Sequence, residues 1–347
     1  RAKPAARYAR FVPTLPPGKL APGLLAELLD SPPTDASVVL GPAPGRDVAV
    51  VDAGGAGYLL LTTDPITFAT DEIGLYVVTV NANDIATAGG TPRWLLATVL
   101  LPAGRSTEEL VRNVQAQLES ACREQGIALV GGHTEITLGL DRPVVVGAMV
   151  GEVRRERLVR SDGGRPDDIV LLTQSAALEG SCILAREHRE HLRGAGFENG
   201  LLERCAGFLR TPGLAVLPAA RAALRATLVH AMHDPTEGGV ATALWELAEA
   251  SEVSLRVEPH CIPVLSETRR LCDHFGLDPL GLIASGALLL LVDPADAEAV
   301  IRTCEGEGIP CASIGRAEAP GSKGCGVFEA ASGQPLPRFA QDEITRV

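Results

Sequence analysis

The chain has 347 residues, 46% hydrophobic and 21% charged, the composition of a globular protein long enough for two domains. A formal charge of −12 and an aromatic content of 3% exclude a basic footprint for nucleic acid and a set of base-stacking platforms. No apolar run approaches the ~18 residues of a membrane span, and the eight cysteines contain no C-x-x-C pair, so the sequence predicts a cytoplasmic protein with scattered, reduced thiols.

Residues 1–34 are rich in Pro and Ala, carry a short helical patch at Leu24–Leu29, and read as an arm. A first domain is expected over 35–153. Val48–Val51 and Leu59–Thr63, joined by Gly54-Gly55-Ala56-Gly57, read as a hairpin. Ile73–Ala88 reads as a helix stopped by Gly89-Gly90, and Trp94–Leu101 as a strand. Ser106-Thr107-Glu108-Glu109 reads as a capping box opening a helix that runs to Gln125, with Gly126 as its stop. Ile127–Val130 and Val144–Val150 have the apolar character of buried strands.

The polar stretch 154–168 reads as a linker and 169–318 as a second domain, beginning with strand Ile169–Thr173. Helices are expected at Ala177–His188, Leu214–Ala226, Val240–Ala250, Ser266–Phe275 and Ala295–Glu307, and strands at Ser254–Val257 and Ala287–Val292. The tail, 319–347, is expected to be irregular. The mixture predicts an α+β fold in both halves.

Four short segments of the first domain carry residues suited to chemistry. Gly41-Pro42-Ala43-Pro44-Gly45-Arg46-Asp47 precedes a strand, and its glycines permit close backbone approach to phosphate. Thr62-Thr63-Asp64 lies at a strand end. Asn81-Ala82-Asn83-Asp84 lies inside an otherwise apolar helix, and its Asn83-Asp84 is flanked by Val80, Ile85 and Ala86, so part of it sits near the interior, where a carboxylate needs a cation or strong donors. Gly131-Gly132-His133-Thr134-Glu135 follows a strand. Taken singly, each is also ordinary turn, helix-face or hairpin chemistry. Taken together, Asp47, Asp64 and Asp84 can supply the hard oxygen ligands that Mg²⁺ takes beside phosphate.

In the second domain, His233-Asp234-Pro235-Thr236-Glu237-Gly238-Gly239 precedes a helix, whose start presents free N–H groups or is capped by Asp234 or Thr236. His188-x-x-His191 and His230-x-x-His233 have helical spacing without a third ligand and read as packing or surface histidines.

The order G-x-D-x-A-V-V (45–51), T-T-D-P (62–65), N-D-I-A (83–86), G-G-H-T (131–134) and D-P-T-x-G-G-x-A-T-A-L (234–244) resembles the aminoimidazole-ribonucleotide (AIR) synthetase superfamily over residues 38–316. Its branches include HypE, selenophosphate synthetase and thiamine-monophosphate kinase. The segment from Asp234, with Ile262-Pro263 and Leu277-Asp278-Pro279-Leu280, is most like HypE; Gly131–Thr134 is more like selenophosphate synthetase.

This resemblance implies a barrel-forming N-terminal domain, a C-terminal α/β-sandwich domain and a homodimer. It implies ATP and Mg²⁺ between the domains, with Asp47, Asp64, Asp84 and Asp234 as metal ligands. Gly41, Gly45, Asp47, Thr63, Asn83, Gly131, Gly132, Thr236 and Gly238 are its nucleotide-binding candidates. Asp84, His133 and Lys19 are the catalytic candidates, Lys19 by likeness to the N-terminal lysine of selenophosphate synthetase.

The implied activity is ATP-dependent activation of an amide- or thiocarbamoyl-type oxygen on a carbamoyl-type substrate, with a maturation-factor protein as a further partner. A small-molecule kinase and a non-catalytic ATP-binding maturation scaffold are the alternatives. Two departures stand out: no cysteine follows Cys325, whereas HypE carries one at its C-terminus, and Glu237 stands where HypE-like chains tend to carry Arg.

Overall fold

The computed structural model describes residues 15, 18–20, 22–31, 33, 35–67, 69, 71–322 and 324–347; the expectations for residues 1–14 lie outside these. After helix α1 (Pro22–Leu28) come β1 (Val38–Leu40), β2 (Ala49–Val51), β3 (Gly57–Ile66), α2 (Ile73–Thr87), β4 (Thr91–Pro102), α3 (Glu108–Gln125), β5 (Ala128–Thr137) and β6 (Val144–Arg154). These strands form one six-stranded sheet in the order β1-β2-β3-β6-β4-β5, antiparallel except for the β4–β5 pair.

Helix α2 is apolar nearly all round, the pattern of a helix buried on every side. It lies on the sheet because β6 offers glycines beneath it. A Cβ on Gly147 would stand 2.4 Å from Asn81 Nδ2, and one on Gly151 2.3 Å from Ile85 Cγ2. The opposite side of α2 faces the second domain, where the Tyr76 hydroxyl meets Cys182 Sγ at 3.5 Å.

The second unit comprises β7 (Ile169–Thr173), α4 (Leu178–Glu187), α5 (Arg189–Gly194), α6 (Asn199–Gly207), α7 (Leu217–Ala226), β8 (Ala231–His233), α8 (Gly239–Ala250), β9 (Ser254–Val257), α9 (Ser266–Phe275), β10 (Leu288–Val292), α10 (Ala297–Gly306), β11 (Cys311–Glu318) and β12 (Val327–Glu329). Its sheet order is β12-β9-β11-β7-β10-β8. Every residue of β10 is buried, because α8 covers one face of the sheet and α7 with α10 the other. The architecture is the two-domain α+β fold expected from the sequence.

Four local expectations change. Thr107, not Ser106, caps α3: its hydroxyl accepts from Leu110 N at 3.1 Å, while the Ser106 hydroxyl donates to Pro102 O. The strand expected to stop at Val130 runs on to Thr137, because Gly131 and Gly132 are extended and paired with β4 instead of turning. Strands β8 and β11 and helices α5 and α6 also occupy stretches where the sequence predicted no element. The tail is not irregular throughout: β12 adds to the sheet beside β9, and a short 3-10 turn forms at Glu343–Arg346.

Candidate active site

The acidic residues of the two domains meet around one point. Strand β3 carries Thr62 and Asp64, and α2, packed across it, carries Asn81 and Asp84. Thr62 Oγ1 donates to Asp84 Oδ2 at 2.5 Å, and Asp64 N donates to Asn81 Oδ1 at 3.0 Å, which fixes both carboxylates relative to each other. Asp47 precedes β2; Thr87 donates weakly to it at 3.5 Å and more closely to Asp84 O at 2.7 Å.

From the second domain, β8 ends in His233-Asp234. His233 Nδ1 lies 2.9 Å from Asp47 Oδ2, and its Nε2 lies 2.9 Å from Glu246 Oε2 on α8. Ligand atoms of Asp47, His233 and Asp234 all lie within 4.8 Å of one another.

Burial and mutual repulsion dominate the electrostatics of this cluster. Burial, then Asp64, Asp234 and Asp47, push the Asp84 carboxyl well above the usual range. Asp64 is raised by burial and by Asp47 and Glu237, against a hydrogen bond from Asp84 and the charge of Lys19. Burial and Asp47 push Asp234 up to about 7, against the charge of His233. Asp234 Oδ2 is buried with no hydrogen-bond partner. An unpartnered acceptor of this kind is a position that a bound ion or water can satisfy. Asp47, Asp64, Asp84 and Asp234 carry the oxygen donors that magnesium takes, and of these Asp47 and Asp234 fall, with His233, in one group of ligand atoms within 4.8 Å.

Two cations already balance part of the cluster. Burial disfavours charge on His233, but Asp47 and Glu246 on either side outweigh it and raise its pKa well above normal. Burial likewise opposes charge on Lys19, yet Glu246, Asp47, Glu237 and Asp64 raise it. Lys19 Nζ donates to Thr236 Oγ1 at 3.2 Å and stands 3.7 Å from Glu246, with half of its side chain exposed. Despite burial, Lys19 and His233 hold Glu246 down to about 2.

The remaining candidates distribute unevenly. Gly45, at φ 70°, packs its loop against α8, where a Cβ would meet Glu246 O at 3.4 Å. Gly41 O accepts from Arg46 at 2.7 Å, which closes the loop before Asp47. Thr63 Oγ1 donates to Gly147 O at 2.7 Å. Gly238 N already donates to Asp342 Oδ2 at 2.7 Å. Asn83 is fully buried and turned away: its amide donates to Leu214 O at 2.8 Å and accepts from Val216 N at 2.9 Å, tying α2 to the second domain.

Gly131, Gly132 and His133 lie on β5, at the exposed edge of the sheet. Along the ladders Asp64 faces Gly147, Gly147 faces Ala97, and Ala97 faces Gly132. Three strand steps at ~4.8 Å put Gly132 roughly 14 Å from Asp64, so one chain does not bring the two together. His133 instead sits 3.5 Å from Glu135, with both side chains largely exposed.

His233 and Glu246 are the site residues that sequence reasoning missed. His233 opens the segment 233–239, but with helical spacing from His230 and no third ligand it read as a packing or surface histidine. Glu246 carries no local signal; it reaches the site because its face of α8 is turned toward it.

Residues 45–153 match the family model of the AIR synthase related protein N-terminal domain, and residues 165–327 that of its C-terminal domain. Carbamoyl dehydratase HypE of Cupriavidus necator is 30% identical over 316 residues, covering 85% of this chain and 86% of that protein. The crystal structure of hydrogenase maturation protein HypE in complex with ATP aligns at TM-score 0.65 and 25% identity over 90% of this chain and 92% of that one. The HypE–HypF complex structure aligns at TM-score 0.64 and 24% identity over 84% and 93%. With both of its domains matched in order, and with the acidic residues of both converging, the chain belongs to the AIR synthase related family.

Proposed function

We propose that this chain is an ATP- and Mg²⁺-dependent enzyme of the HypE type, activating a carbamoyl-, thiocarbamoyl- or amide-type oxygen by phosphoryl transfer. The observation that carries the reading is the convergence of Asp47, Asp64, Asp84 and Asp234, with Asp234 Oδ2 buried and unpartnered. Likeness to a HypE solved with ATP supplies the nucleotide.

Asp47, Asp64, Asp84 and Asp234, from both domains, would hold magnesium, which would supply the positive charge that phosphoryl transfer needs. His233 holds Asp47 in place and screens it from Glu246. Lys19, hung on Thr236 above the cluster, supplies a mobile positive charge for the transferring phosphate. Gly41 and Gly45 shape the loop that presents Asp47.

A homodimer belongs to the same reading. The free edge and outer face beside β5 expose Leu96, Val130, Ile136 and Leu138, the last at 86%. A second copy would pair the edge and cover its exposed apolar side chains. Gly131, Gly132 and His133 would then lie in the interface. A maturation-factor partner and a location in a reducing cytoplasm complete the proposal; the eight cysteines are all free, and no helix among the described residues is long and apolar enough to cross a membrane.

The test is a thermal-shift titration with ATP, with and without Mg²⁺, followed by assay of ADP formation with carbamoyl-type acceptors. A Mg²⁺-dependent rise in unfolding temperature and released phosphate support the reading. Phosphate retained on a stable acceptor would make the protein a kinase, and binding without turnover a scaffold.

A further inference from the structure

A second cleft, lined by several arginines, lies outside the acidic cluster. It opens where the starts of β3 and β4 and the end of β6 approach the C-terminal end of α7, and its volume is about 1230 Å³. Its nearest lining residues along the chain, Leu59 and Gly89, are each five residues from an aspartate of the cluster, Asp64 and Asp84, and none of Asp47, Asp64, Asp84 and Asp234 lines it.

The lining is cationic in a chain whose formal charge is −12. Arg93, Arg154, Arg157, Arg221 and Arg225 line it, against Glu152 and Glu156. Both glutamates are held loosely: Arg93–Glu152 at 3.3 Å and Arg154–Glu156 at 3.4 Å are pairs with every side chain at least half exposed. Such pairs contribute about 0–1 kcal/mol and yield to a better-placed anion.

Arg225 leans on Glu307, outside the lining. Arg157 has only a long contact to Leu224 O at 3.4 Å, and among the described residues neither Arg157 nor Arg221 has a carboxylate partner. Tyr58, Leu59 and Leu224 give the cleft an apolar wall.

Guanidinium groups grip phosphate through paired N–H donors, and several converging on one cleft suit a multiply charged anion better than a single carboxylate. The cleft is open and wide, and its volume can admit a nucleotide-sized molecule. Because two domains form the walls, an occupant would bridge them. We propose that this arginine-lined cleft is a second ligand site, separate from the candidate active site, which takes a small molecule carrying two or more phosphate groups.

The test is calorimetric titration with inorganic tripolyphosphate in EDTA and low salt. Without metal, the aspartate cluster repels phosphate, so binding reports on the arginine cleft. One tripolyphosphate per chain is expected, with affinity weakened at least about tenfold in Arg157→Glu/Arg221→Glu and by higher salt. Asp84→Asn leaves this titration unchanged, which separates the cleft from the acidic cluster. The single variant Arg221→Gln, a milder surface change, is expected to weaken binding in the same direction if the double variant folds poorly. Absence of saturable binding below ~1 mM, or affinity that neither arginine variant alters, overturns the proposal. A hexaglutamate peptide that binds where tripolyphosphate does not would also overturn it, in favour of an acidic protein segment.

Discussion

Nδ1 of His233, at the end of β8 in the second domain, lies 2.9 Å from Oδ2 of Asp47 in the first, and this contact places an acidic residue from each domain beside the same point. The imidazole is buried and also bonded to Glu246, so one side chain holds two carboxylates apart. Replacing His233 with Ala leaves both without their shared cation. Stability should fall by about 3 kcal/mol, the scale for one partner removed from a buried charged network, as measured by urea unfolding. His233→Ala should also weaken Mg-ATP binding, read by calorimetry.

Asp84→Asn should separate stability from function. Asp84 is raised well above its ordinary pKa by burial and by Asp64, Asp234 and Asp47, so its charge opposes folding of the metal-free protein. The amide keeps an acceptor for Thr62 and removes that repulsion. The metal-free variant should unfold at a higher temperature than the parent, by about 1 kcal/mol of added stability. The stabilisation conferred by Mg-ATP should shrink or vanish in the same scans.

Asn83 makes the opposite case. Its amide satisfies Leu214 O and Val216 N, both across the domain boundary. Asn83→Ala strands a buried donor and a buried acceptor, costing about 2–4 kcal/mol of stability in denaturant titrations. Below its unfolding temperature the variant should still bind Mg-ATP within a few-fold of the parent, since the side chain faces away from the carboxylates.

Two buried carboxyls near α8 set a pH dependence outside the aspartate cluster. Burial pushes Asp342 up to about 6 and Glu179 up to about 7. Both bind a proton more tightly in the folded chain than in the unfolded one. Their stabilising contribution is therefore complete below pH ~4 and lost as pH rises through about 6 and then 7. Unfolding free energies measured from pH 4 to 8 should decline over that window, and Asp342→Asn with Glu179→Gln should flatten the decline.

The β5 edge gives a prediction about assembly. Ile136→Lys with Val130→Glu places charge on two exposed apolar positions, 52% and 54% accessible, without touching the core. Sedimentation should shift from dimer to monomer while the monomer's circular dichroism is retained. By contrast, Gly132→Ala should damage the fold itself, because its Cβ would stand 1.9 Å from Ala97 O, and pairing of β5 with β4 would break.

The sequence by itself determined the elements with strong periodicity or strong stops: α3 ending at Gly126, the β2–β3 hairpin, and the apolar α2 with Asp84 inside it. It also determined the order of motifs that marks the family, because each motif is contiguous and needs no partner to be read. Tertiary structure alone decided which of those residues meet. Asn83 and Asp84 are neighbours in the chain, yet a helix turns successive side chains by ~100°, so one ties the domains together and the other faces the carboxylates. His233 and Glu246 became site residues, and Gly131–His133 were set apart from them, through strand order and helix orientation. Those are fixed by packing between segments as distant in sequence as Asp47 and His233, 186 residues apart, a relation that no local pattern encodes.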